Sequence, residues 1–276
     1  MMRTYAKLLA VVVVAVFAFA GSPVQAVTVS FDYQVPTDNS GKTSPVGVNN
    51  ANVALPGYFI ETFDKPGSAG ETIVLPGGNI YVNAGGGFNS LNPYTDLSIM
   101  YGSVGIRKDS VTGVAATPAG DTTFYAYAPG TDYPDGNTAA VRVLYEDFMQ
   151  TYGVKISYLG LYYGSIDTYN EIAFYSGDSP FIGDGILSDG VITGTELLNV
   201  FGGYSGNQFQ DGSNMYVNLF FDADELFTAF EFRTSAVAFE MDNVVTGFAA
   251  VPEPTTILLL GLGLVGLAGA RRKLEK

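Results

Sequence analysis

The chain has 276 residues, with 13 Lys and Arg against 27 Asp and Glu, a net charge of −14, and no His, Cys or Trp. Without His or Cys there is no Ser-His-Asp triad, no Cys nucleophile and no imidazole or thiolate zinc site. The acidic balance argues against nucleic acid as a partner, because its phosphate backbone calls for a surplus of Lys and Arg.

Arg3 and Lys7 lead into an unbroken apolar run, Leu8 to Ala20, which Gly21, Ser22 and Pro23 interrupt before Val24-Gln25-Ala26. A basic start, a short apolar stretch and a small-x-small triplet are the marks of a secretory signal peptide. At 13 residues the run is short for a membrane span, which needs about 20. Residues 1–26 are therefore expected to be removed by signal peptidase after Ala26, with Val24 and Ala26 as the cleavage-site residues.

The body that follows, residues 27–250, contains only 7 of the basic residues but 25 of the acidic ones, a net charge of −18. Export would permit disulfides, yet a body of this length can bury a sufficient core without them. Residues 36–57, with Pro36, Pro45 and Pro56 among Asn, Gly and Ser, predict an exposed loop. Thr122 to Tyr127 is β-branched and aromatic, as strands are, and residues 128–138 predict an Asp-rich loop. Ala140 to Tyr145 alternates around Arg142, and Val154 to Tyr163 is a long strand in which Gly160 marks a bulge or a close approach. Glu171 to Tyr175, Met215 to Phe221, Phe227 to Thr234 and Val237 to Val245 complete the strands. Helical periodicity is limited to single turns at Thr195 to Val200 and Asp222 to Phe227. Short strands between Gly, Asn, Asp and Pro turns predict an all-β fold, an antiparallel β-sandwich or jelly roll, in one domain.

Several segments carry candidate chemistry. Leu159 to Asn170 spells strand, Gly-Ser-Ile-Asp turn, strand, and Asp167 is expected to fold its carboxylate onto nearby backbone N–H groups. Tyr152, Tyr158, Tyr162, Tyr163, Tyr169 and Tyr175 make this region aromatic. Aromatic faces can stack on sugar rings, which makes Tyr162, Tyr163 and Tyr169 candidate glycan contacts; the alternative is ordinary strand tyrosine with its ring buried. Asp184 to Glu196 imitates a calcium loop, but Gly185 and Leu187 fall where the first two side-chain ligands belong, so an Asp-Gly hairpin is expected instead. In the last strand alternation puts Phe239 and Met241 on one face and Glu240 and Asp242 on the other. Glu240, Asp242 and Asn243 are candidate calcium ligands; the alternative is a solvent-facing polar edge ending in a turn. Two carboxylates can hydrolyse a glycoside without histidine, but no local motif selects a pair among 25 acids, and no catalytic residue is assigned.

The tail, residues 251–276, opens with Pro252-Glu253-Pro254, continues through the apolar stretch 255–270 and ends in Arg271-Arg272-Lys273. As a helix the 16 apolar residues would run about 24 Å, and snorkelling Arg and Lys can make up the shortfall against a core of about 30 Å. The basic cluster marks the cytoplasmic end of this expected transmembrane helix. Gly261 to Gly266 matches G-x-G-x-x-G by chance, since no strand–helix unit frames it; its glycines suit close helix packing.

Motif, helix and basic cluster in this order resemble the PEP-CTERM sorting signal of Gram-negative bacteria. The resemblance implies processing by exosortase, a membrane protease-transpeptidase, near Pro252-Glu253-Pro254. Within the body, Leu159 to Asn170, Met215 to Phe221 and Ala238 to Val244 resemble blocks found in a subgroup of exosortase-dependent surface proteins. Those relatives often have Trp where this chain has Tyr163, and the subgroup implies no biochemical activity. The expectation is an exported, non-enzymatic protein of the cell surface or extracellular matrix, associated with exopolysaccharide and biofilm. It would pass through an inner-membrane-anchored intermediate. The alternatives are a carbohydrate-binding module, calcium-dependent or not, and more remotely a carboxylate glycosidase.

Overall fold

The computed structural model describes residues 27–64, 72–74, 80–82, 99–101, 105–129, 139–223, 225–251 and 263. The expected signal peptide, with Val24 and Ala26, and most of the expected second loop lie outside these residues. So does the tail beyond Val251, with Pro252, Glu253, Pro254, Arg271, Arg272 and Lys273; only Gly263 of it is described. No helix among the described residues is long and apolar enough to cross a membrane.

Antiparallel strands dominate. They are β1 (Thr28–Ser30), β2 (Tyr58–Glu61), β3 (Thr72–Val74), β4 (Ile80–Val82), β5 (Ile99–Tyr101), β6 (Gly105–Arg107), β7 (Tyr125–Ala128) and β8 (Ala139–Leu144). After helix α1 (Glu146–Tyr152) come β9 (Val154–Gly164), β10 (Asn170–Ser176), β11 (Ser179–Pro180) and β12 (Val191–Thr193). Helix α2 (Gly194–Phe201) is followed by β13 (Met215–Phe220), β14 (Ala229–Thr234) and β15 (Phe239–Ala250). One sheet runs β1-β13-β9-β15-β7-β6, with β2 also on β15; the second runs β11-β10-β14-β8-β5, with β12 on β10. The strands that alternation predicts are all present, shifted by a few residues at their ends.

The two sheets share one core. Phe174 (β10), Phe227 just before β14, Phe230 and Phe232 (β14), Phe239 (β15) and Tyr163 (β9) form a continuous aromatic ladder between them. Centroid spacings along it fall from 6.4 Å for Phe227–Phe230 to 4.3 Å where Tyr163 stacks on Phe239. Such pairs add about 0.5–1.5 kcal/mol each beyond the area they bury. The Ser165–Tyr169 turn carries the chain from β9 in one sheet to β10 in the other.

The helical turn expected at 195–200 is present as α2, where Glu196 closes a capping box with Thr193, satisfying two N-terminal N–H groups. Three other expectations need correction. None of the described residues of 222–227 is helical; the segment delivers Phe227 to the core. Helix α1 was not expected, because seven residues hold too few turns for a periodic signal. Its apolar side is Phe148 and Met149, and Gly153 ends it at φ +62°.

The third correction matters most. Residues 34–56 are not an exposed loop but a strap laid across the outer face of the larger sheet. Bridges Gln34↔Thr43, Ser40↔Asp121 and Val48↔Ala54 order it, and Ser40, Thr43, Ser44, Val48 and Asn52 are buried. Gly160 is indeed a close approach: a Cβ there would meet the hydroxyls of Tyr158 at 2.3 Å and Tyr216 at 2.7 Å. The bulge lies across from it, where Asn243 and Val244 of β15 face Leu161 alone. Gly160→Ala should destabilise the fold by about 1–3 kcal/mol through overpacking, read as a lower midpoint in urea denaturation, with Gly177→Ala, open to solvent but at φ +62°, costing less.

Candidate functional site

The outer face of β15 concentrates the ionisable groups of the interior. Phe239 and Met241 turn into the core, and Glu240 and Asp242 turn outward, as their alternation requires. Outward is not toward water here, because the strap and residues 110–121 cover that face. Glu240 is 2% exposed, and Asp242 and Asn243 are fully buried.

The three residues have different surroundings. Glu240 Oε1 accepts the Ala116 N–H at 2.8 Å and Oε2 accepts the Ser165 hydroxyl at 2.9 Å. Burial outweighs these bonds and pushes its pKa up to about 8. Asn243 sits in the bulge at φ +47°, a region Asn tolerates better than most residues. Its amide donates to Ser40 O (3.0 Å), Ser40 Oγ (2.8 Å) and Lys42 O (2.9 Å), and accepts from Asn52 Nδ2 at 2.6 Å. Asn243 thus ties the strap to the sheet, with its side-chain oxygen already accepting from Asn52.

Neither carboxylate oxygen of Asp242 makes a hydrogen bond of good geometry, although the backbone N–H of Asn243 lies close enough to favour the charged form. Its neighbour is Asp121, a residue with no local sequence signal, brought in from the loop before β7. Asp121 Oδ1 accepts the Thr123 N–H and hydroxyl, both at 2.7 Å, whereas its Oδ2 has no donor. The two carboxyl groups lie within hydrogen-bonding reach of each other, and Asp64 adds a third negative group nearby. Burial first, and then these mutual repulsions, hold Asp242 well above the usual carboxylate range; Asp121 and Asp64 are raised chiefly by burial as well. Among the described residues no group of three or more His, Cys, Asp or Glu converges as a metal-binding cluster, and of Glu240, Asp242 and Asn243 only Asp242 is left without a hydrogen bond at its side chain.

The tyrosines are placed differently from the glycan-contact expectation. Tyr162 and Tyr163 are both fully buried. Tyr162 lies under Gly41 and donates its hydroxyl to the Ala119 carbonyl; Tyr163 belongs to the core ladder. Neither ring presents a face to a sugar. Tyr169 is half-buried, with its hydroxyl 2.6 Å from Asp167 Oδ2 and 2.8 Å from the Val237 carbonyl. The Asp167 carboxylate takes that hydroxyl and the Ser205 hydroxyl (2.9 Å) rather than backbone N–H groups, while the turn itself is closed by the Asn170 N–H on the Asp167 carbonyl at 3.1 Å.

Lys42 is the basic residue of the strap. Its ammonium bonds Asp211 Oδ1 and the Asn214 carbonyl, both at 2.7 Å, and lies over the Tyr33 and Tyr162 rings. Among the described residues no salt bridge joins a Lys or Arg to Asp121 or Asp242.

Comparison with known proteins bears on the tail. Residues 250–273 match the model of the PEP-CTERM protein-sorting motif. A search of curated proteins finds no match. Among solved structures, the Stig cyclase Fisc from Fischerella sp. TAU, in complex with (3Z)-3-(1-methyl-2-pyrrolidinylidene)-3H-indole, aligns over 81% of this chain and 91% of that chain. The identity is 9% and the TM-score 0.28, too low for the likeness to bear on fold or function.

The buried acids set a pH dependence. An unfolded Glu240 titrates near 4.5 and the folded one near 8, so between those values the folded state holds the extra proton. Stability therefore falls as pH rises across that window, by up to about 1.4 kcal/mol per pH unit from this group. Glu240→Gln keeps both hydrogen bonds in amide form and should flatten the slope; urea denaturation in EDTA at pH 5, 6.5 and 8 measures it. An unchanged slope would assign the dependence elsewhere.

Proposed function

We propose that this chain is a non-enzymatic protein of the bacterial cell surface or extracellular matrix, associated with exopolysaccharide in biofilm. The observation that carries it is the PEP-CTERM motif over residues 250–273. That motif implies exosortase-dependent sorting of an exported protein, with exosortase as the processing partner and a surface or extracellular destination. The signal-peptide pattern of residues 1–26 and the basic cluster 271–273 are consistent with it.

The body supports a structural role. It has no His or Cys, and the acids of its last strand are sealed beneath the strap rather than offered to a substrate. A glycosidase needs two carboxyl groups flanking a bound sugar, which fully buried Asp242 and nearly buried Glu240 do not provide. The carbohydrate-binding alternative loses two of its three proposed contacts to the interior, Tyr162 and Tyr163.

Fractionation tests the proposal. The unaltered chain should lose its tail and reach the surface or medium. A chain with Pro252→Ala, Glu253→Ala and Pro254→Ala should accumulate unprocessed in the inner membrane. Deleting residues 251–276 should send the body to a different compartment from the processed protein. If the tailless chain reaches the same surface location, sorting through this tail is wrong.

A further inference from the structure

The Asp121–Asp242 pair is the largest unsolved polar problem among the described residues. Three carboxylate oxygens, Asp242 Oδ1, Asp242 Oδ2 and Asp121 Oδ2, are buried without a hydrogen bond. Asp242 itself is fully buried. Buried acceptors are normally paired, and an isolated buried charge is far costlier than an unpaired neutral group. Some species must answer these oxygens.

A shared proton answers only part of the demand. One proton between the two carboxyl groups joins one oxygen of Asp242 to one of Asp121. The remaining Asp242 oxygen would be left with the nearby Asn243 N–H, which is not placed to hydrogen-bond it. A divalent cation meets all three oxygens at once. Hard cations take oxygen ligands only, and calcium accepts carboxylates in either one- or two-oxygen mode within a flexible shell of 6–8. Magnesium demands near-ideal octahedral geometry and keeps its waters, which fits a two-oxygen carboxylate poorly. Among the described residues no protein cation pairs with either acid, and the Lys42 ammonium is held by Asp211 and the Asn214 carbonyl.

We propose that Asp242, through both carboxylate oxygens, and Asp121, through Oδ2, bind one calcium ion between the sheet and the strap. The pair supplies the charge; with only two carboxylates converging, backbone carbonyls and water complete the shell. Asp64 lies near enough to add to the negative field. The ion has a structural consequence. Asp242 belongs to β15, whereas Asp121 is bridged to Ser40 of the strap, and the next residue's N–H bonds the Asn39 carbonyl at 3.0 Å. A cation held by both clamps the strap onto the sheet. The site does not depend on sorting; a calcium-containing exterior would merely supply the ion.

Thermal unfolding of the full chain in detergent, with calcium alone as the probe, tests this. Calcium should raise the midpoint saturably, EDTA should reverse the rise, and magnesium at equal concentration should not reproduce it. Asp242→Asn and Asp121→Asn should each weaken the calcium response at least about tenfold, while matching or exceeding the unaltered chain's midpoint in EDTA. Asp178→Asn, at an exposed acid, should keep the full response. Terbium gives a reading that needs no variant. The chain lacks Trp, and Tyr162 stands opposite Asp242 in the β9–β15 register, so tyrosine-sensitised terbium emission should appear with one ion per chain and be displaced by calcium. No calcium-dependent rise in the unaltered chain, an equal effect from magnesium, a response retained in both Asn variants, or no displaceable terbium emission would each overturn the proposal.

Discussion

Both faces of the larger sheet are dry at its centre, and the rest of the structure answers to that fact. An antiparallel sheet can leave one face in water, where polar side chains need no partner. Here β13 is buried at five of its six residues and β15 over its first nine. The core face meets this with aromatic and aliphatic side chains. The outer face carries Tyr158, Tyr162, Tyr216, Asn218, Glu240 and Asp242, and every polar atom there must find a partner inside the protein. The strap is that partner in large part. Ser44 Oγ lies 2.8 Å from the Tyr158 hydroxyl, and the Asn243 side chain reaches Ser40, Lys42 and Asn52.

Close cover over a polar face requires small residues at the contacts. A Cβ on Gly41 would sit 2.5 Å from the Tyr162 ring, and one on Gly164 would sit 2.9 Å from Pro118. With Gly160 beneath the Tyr158 and Tyr216 hydroxyls, these glycines let the strap, the 110–121 segment and the tyrosines lie against the sheet. Part of the chain's high glycine content is thus a packing requirement, although composition alone suggests loops.

What could be read from the chain beforehand divides by range. Strands such as Ala140 to Tyr145 and Met215 to Phe221 declare themselves through neighbouring residues, and so does the capped turn at Thr195. The sorting tail was the most legible feature because its motif is linear and needs no folded partner to be recognised. The strap was misjudged because Pro, Asn, Gly and Ser have the composition of a solvated loop, while its burial is set by Asn243, some 200 positions away. Alternation correctly separated Glu240 and Asp242 from Phe239 and Met241. It carries no information on what lies above that face, so the depth at which these acids sit was invisible. Tyr162 and Tyr163 were indistinguishable from surface tyrosines for the same reason. Asp121 was one of 25 acids in the body until the fold placed it beside Asp242.

Glu240 and Asp242 show how far a side chain's chemistry is set by its neighbours. They are two residues apart on one strand face and almost equally buried. Glu240 has an N–H and a hydroxyl aimed at its two oxygens. Adding a proton there removes the charge, and the serine hydroxyl can turn to accept it, so the site is complete with nothing else. Neither oxygen of Asp242 makes a hydrogen bond, although the Asn243 N–H is close, and a second carboxyl group stands beside it. Adding one proton there still leaves an acceptor unpaired. The difference follows from what each acid faces across the sheet: Glu240 pairs with Gly164, where the chain turns and exposes the Ser165 hydroxyl, whereas Asp242 pairs with Tyr162, whose hydroxyl is already given to Ala119. One position is therefore solved by the protein and a proton, and the other calls for a cation from outside.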